Sequence, residues 1–158
     1  RGGRAMRWVL LVAALAQPAL AEQSDEEHIV GDRMVRIARI DPIEILTIGP
    51  SDHEQSQVLS GAEVEIAAFL ADADSVALLG QPVLVAEVTG THSCDEGDPR
   101  AYWVVTPGDI PAPEGPVTTC AELTVSLTPG AVVLEADPGG EGGEAWSWTP
   151  GKGWASAG

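Results

Sequence analysis

Two cysteines, Cys94 and Cys120, enclose D-E-G-D-P-R-A-Y-W-V-V-T-P-G-D-I-P-A-P-E-G-P-V-T-T, and no other cysteine occurs in the 158 residues. The centre of this stretch, Tyr102-Trp103-Val104-Val105-Thr106, is aromatic and β-branched, which suits a pleated, half-buried strand. Turn-forming Gly, Pro and Asp flank it on both sides. Two cysteines in an exported chain are most simply one disulfide. A Cys94–Cys120 bridge would close the loop around a core strand, and in a chain-entropy model a loop of this length stabilises the fold by ~3.5 kcal/mol.

The N-terminus supplies the condition for that bridge. Arg1, Arg4 and Arg7 precede the apolar run Trp8 to Ala16, and Ala19-Leu20-Ala21 follows. A basic stretch, a short apolar stretch and a small-x-small site form a secretory signal peptide, with cleavage expected after Ala21. The run is shorter than the ~20 apolar residues of a spanning helix, so no stable membrane anchor is expected once the leader is removed. Met6 is read as the start, with residues 1–5 an upstream extension. The expected destination is the periplasm or the exterior.

Without residues 1–21 the chain keeps five cations (Arg33, Arg36, Arg39, Arg100 and Lys152) against 24 acids, a net charge of −19. Such a surface repels nucleic acid and anionic lipid, which excludes both as partners. It attracts cations or a basic protein patch, and it also keeps a protein hydrated. A single Lys and no Asn, beside abundant Ala, Gly and Pro, is the residue usage of a GC-rich bacterial genome.

Residues 22–28 (E-Q-S-D-E-E-H) are polar and acidic without periodicity, and predict a disordered start. From Ile29 to Trp154 the chain reads as one β-rich domain, with 155–158 a tail. Ile43 to Ile48 is a strand between Asp41-Pro42 and Gly49-Pro50, and His53 to Gln57 a polar connection. Residues 61–73 are Ala-rich and read as a short helix, although Glu63-Val64-Glu65-Ile66 alternates as a strand would. Ser75–Leu79 and Val83–Val88 around Gly80-Gln81-Pro82 read as a hairpin. Strands at 102–106, 123–127, 131–135 and 145–149 follow with no helical spacer. The fold class is therefore mainly β, with α+β left open, and a single antiparallel sheet of hairpins in meander order.

The chemistry-bearing groups are sparse. Asp95, Glu96 and Asp98 offer Ca²⁺ three carboxylates, without the alternate-position acids and terminal Glu of an EF-hand loop. His28, His53 and His92 are widely separated, so zinc signatures are absent. His92-Ser93-Cys94 would be a nucleophile and base only if Cys94 were free. No nucleophile elbow, S-x-x-K, P-loop or dinucleotide fingerprint occurs, and no catalytic residue or cofactor is predicted. Arg33, Arg36 and Arg39 recur every three residues and read as internal neutralisation of nearby acids more readily than as an anion site. Trp146 and Trp148, two apart, point to the same face of a strand. Exposed, they would make a ligand platform; packed, they would cover the sheet.

Thr91 to Cys94, Ala101 to Val105, Gly115 to Cys120 and Trp146 to Gly151 together resemble, in overall pattern, small uncharacterised exported bacterial proteins. The likeness spans roughly the last 70 residues. It implies a β-rich exported domain and carries over no catalytic or binding residue. The functional expectation is a non-enzymatic envelope or secreted module with a protein or small-ligand partner. The alternatives are a hydrolase without a recognised motif, using carboxylates or the His53 region, and weak calcium binding at Asp95, Glu96 and Asp98.

Overall fold

The structure is a computed structural model and describes residues 26–137 and 143–157. Residues 1–25, which hold the expected signal peptide and the start of the expected disordered stretch, lie outside the described residues. Among the described residues, twelve strands form three four-stranded antiparallel sheets, each a meander. The first holds β1 (Glu26–Val30), β2 (Arg33–Ile40), β3 (Ile43–Ser51) and β4 (Glu54–Gly61). The second holds β5 (Glu63–Leu70), β6 (Val83–Thr89), β7 (Arg100–Thr106) and β8 (Ala112–Thr119). The third holds β9 (Thr124–Thr128), β10 (Ala131–Glu135), β11 (Ala145–Thr149) and β12 (Gly153–Ser156). The mainly β, antiparallel, hairpin-and-meander class is thus what the chain adopts, with the strands shared among three sheets rather than gathered in one.

The second sheet is the middle layer. Side chains alternate across a strand, and on β6 the two sets enter different cores. Leu84, Ala86 and Val88 pack with Val35, Leu46 and Ile48 of the first sheet. Val83 and Val85 pack with Val132, Leu134 and Trp148 of the third. Burial on both faces explains why V-L-V-A-E-V is almost continuously apolar.

Five expectations are corrected. Glu63–Leu70 is strand rather than helix: Val64 is buried between exposed Glu63 and Glu65, and pairing with β6 outweighs the alanine propensity. A register shift between Ile66 and Ala68 interrupts the alternation that would have announced it.

The single helix among the described residues, α1, lies at Ala73–Leu79, where a hairpin strand is expected. Asp72 caps it by accepting from the Ser75 amide at 3.4 Å and from the Ser75 hydroxyl, which also lowers the Asp72 pKa. Gly80 ends it in the left-handed region (φ 81°), its amide donating to the Val76 carbonyl at 2.7 Å. β6 therefore pairs with β5 and β7, not with 75–79.

Glu26 to His28, expected to be disordered, belong to β1 and pair with β2. The polar run from Glu54 is strand β4, not a connection. Ala155 and Ser156, read as tail, lie in β12 and pair with Ser147 and Trp146.

Candidate functional site

β6 and β7 carry the most concentrated chemistry in the fold. Glu87 interrupts the apolar run of β6 on the side of the third sheet, and it is only 7 % exposed. Its carboxylate accepts from Arg100 Nη1 at 2.6 Å and from the Tyr102 hydroxyl at 2.8 Å. The same hydroxyl accepts from the Leu123 amide at 3.0 Å, linking the middle sheet to the segment that enters β9. Burial pushes the Tyr102 phenol up to about 12, and the neighbouring Glu87 carboxylate adds to the rise. Burial opposes the Arg100 charge, but the attraction and hydrogen bond of Glu87 outweigh it and raise the Arg100 pKa.

Beside this network lies an open cleft of about 540 Å³ with Glu63, Glu65, Glu87, Asp98 and Arg100 in its lining. Glu65 stands directly opposite Glu87 in the β5–β6 ladder. Like charges placed so are unfavourable, and Arg100 compensates through Glu87 and through Asp98 at 3.6 Å. Glu65 makes no ion pair among the described residues.

The β6–β7 connection carries the disulfide. Cys94 and Cys120 are bonded, with Cα atoms 5.8 Å apart. Cys120 is exposed and Cys94 half-buried. The connection lies tightly on Cys120: Gly97 has φ 79°, and a Cβ there would stand 2.1 Å from the Cys120 carbonyl oxygen. His92 reaches the same corner. Its Nε2–H donates to the Thr119 carbonyl at 3.0 Å, which fixes the tautomer, and the Thr91 hydroxyl donates to Nδ1 at 3.1 Å. An open cleft of about 490 Å³ runs past His92, Thr119, Cys120 and Glu144. Glu144 accepts there from the Thr119 hydroxyl at 2.6 Å.

The other residues singled out in the sequence fall elsewhere. Asp95, Glu96 and Asp98 are exposed on the β6–β7 connection, and Asp98 faces Arg100. Trp146 and Trp148 share a face of β11, and that face is packed rather than open. Trp148 is 1 % exposed and its indole N–H donates to the Glu114 carboxylate at 2.6 Å. Trp146 packs against the same core, and Trp154 donates to the Glu114 carbonyl at 3.0 Å. The platform is therefore replaced by core packing with a carboxylate partner.

The three arginines of β2 pair with acids. Arg33 meets Asp109 and Asp32, Arg36 meets Glu27 at 3.7 Å, and Arg39 meets Asp41 at 3.1 Å and Glu44 at 3.8 Å. His53 is exposed beside Asp52. Sequence reasoning missed the Glu87–Arg100–Tyr102 network, although a single Glu inside an apolar strand was the signal for it. No family model, curated protein or solved structure matches the chain.

Proposed function

We propose that this chain is an exported, non-enzymatic binding module of the envelope or exterior, and that it takes a positively charged segment of a protein partner in the cleft of Glu63, Glu65 and Asp98. The observation that carries the reading is the open acidic cleft, in which Glu65 is left without an ion-pair partner while Glu87 and Arg100 satisfy each other. The net charge of the whole chain, −16, adds long-range attraction for such a segment. The non-enzymatic part is supported by how the buried polar groups are used. Glu87 is engaged by Arg100 and Tyr102 within the middle sheet, and the Tyr102 hydroxyl and the Trp148 N–H tie that sheet to the third sheet and the segment entering it. Export is supported by the disulfide and by the leader-like sequence of residues 6–21. Among the described residues no helix is long and apolar enough to cross a membrane.

The test uses the chain from Glu22 as bait against envelope and culture-medium fractions. Capture of a basic protein that is lost in a Glu63→Gln/Glu65→Gln variant, and that weakens steeply with salt, is the expected result. Equal capture by the variant would refute the cleft, and measurable turnover in a broad hydrolase screen would refute the non-enzymatic reading. Sequencing the exported chain's N-terminus checks the cleavage after Ala21.

A further inference from the structure

Around the disulfide, one imidazole nitrogen of His92 and the sulfurs of Cys94 and Cys120 lie within 4.8 Å of one another. Bonded to each other, the sulfurs are poor ligands, because the thiolate is the form that binds metal. We propose that reduction of the Cys94–Cys120 disulfide turns this corner into a metal site, with two thiolates and one imidazole, for a thiophilic closed-shell cation, Zn²⁺ or Cu⁺. Thiolate and imidazole are the donors that such cations select.

The geometry asks little of the backbone. Two thiolates bound tetrahedrally at ~2.3 Å from one zinc ion stand roughly 3.8 Å apart. Cα atoms separated by 5.8 Å reach that spacing by side-chain rotation. His92 already has the outer contacts that ligating histidines use, a backbone carbonyl on one ring nitrogen and a hydroxyl on the other. Whichever nitrogen coordinates gives up one of these, and the other stays anchored. The open cleft of about 490 Å³ beside Cys120 admits both reductant and cation, and a water entering through it completes a fourth position.

The reductant is a dithiol, such as that of a thiol–disulfide oxidoreductase. Its thiolate attacks the exposed Cys120 sulfur, the S–S bond breaks, and Cys94 leaves as thiolate. The second thiol of the reductant, as thiolate, then attacks its own sulfur in the mixed disulfide and releases Cys120 as thiolate. Two electrons have moved: the dithiol is oxidised to a disulfide and the protein pair is reduced. Each sulfur that has taken up a proton from water gives it back when the cation binds.

The test is anaerobic titration of the chain from Glu22, oxidised and reduced, with Zn²⁺, and with Cu⁺ in competition with a chromogenic chelator. One equivalent bound by the reduced chain and none by the oxidised chain is expected, with Co²⁺ substitution giving sulfur-to-metal charge-transfer bands. His92→Ala should weaken binding at least tenfold while keeping both sulfurs. Tight binding of only one cation identifies it and supports the site. If the reduced chain loses its near-UV circular dichroism, stoichiometric metal should restore it. No stoichiometric binding, no restoration in that case, or equal affinity in His92→Ala would overturn the proposal.

Discussion

Tyr102 is the only tyrosine, so tyrosinate absorbance reports this one side chain. Its ring is fully buried, and its pKa is pushed up to about 12. The unfolded chain titrates at an ordinary ~10. Below about pH 10 both states hold the proton and the phenol contributes its full stabilisation. Between about 10 and 12 the unfolded state has lost the proton and the native state has not, so stability falls as pH rises. At ~1.4 kcal/mol per pH unit, the loss across that window is about 3 kcal/mol. Denaturant melts at pH 9, 10, 11 and 12, read by near-UV circular dichroism, measure it. Tyr102→Phe should remove this part of the pH dependence and cost about 1–3 kcal/mol at neutral pH, because the Leu123 amide is left buried without its acceptor. If the native fold persists while the tyrosinate band rises with a midpoint near 10, the account of this hydroxyl is wrong.

Three further outcomes are expected. Glu114→Ala strands the buried Trp148 N–H and should lower the unfolding free energy by about 1–3 kcal/mol, with a shift in tryptophan emission; unchanged stability would refute the pairing. Gly97→Ala combines a left-handed backbone, at ~1–2 kcal/mol, with a collision against the Cys120 carbonyl, so its melting temperature should fall more than that of Gly130→Ala, where φ is 85° but a Cβ meets nothing within 4 Å. Cys94→Ala/Cys120→Ala should lose ~3.5 kcal/mol of stability by denaturant titration, and an undiminished midpoint would show that the bridge contributes nothing.

The sequence announced its third sheet most clearly. The strict alternation of Leu123 to Leu127 and the Pro129-Gly130 turn gave β9 and β10 almost to the residue, because one face of each is wet. The disulfide was legible from cysteine number and compartment. The β5–α1 segment was not, because its residues satisfy two patterns: Ala-rich propensity favours helix, and only the ladder with β6 decides for strand. Ser75 to Leu79 failed in the opposite direction, where a short apolar run hid a helix whose caps, Asp72 and Gly80, were the better signal. The Trp146/Trp148 spacing gave the shared face correctly. Whether water or a core lies against that face depends on β8, distant in sequence, which brings Glu114 to the indole. The corner of the proposed metal site was legible only in part: His92 stands two residues before Cys94 in the sequence, but the Thr119 carbonyl that holds its ring reaches it only once β7 and β8 have paired.

The middle layer also bears on how the chain avoids folding one residue out of step. Along β6 both sets of side chains are small or medium aliphatics, so exchanging the two cores by a single-residue slip would change little apolar burial. Glu87 is the exception. In the slipped arrangement its carboxylate would enter the core filled by Leu46 and Ile48, away from Arg100 and Tyr102, as an unpaired buried charge. A single acid in an otherwise interchangeable strand thus acts as a registration mark: it rejects the shifted pairing that its five buried neighbours would tolerate.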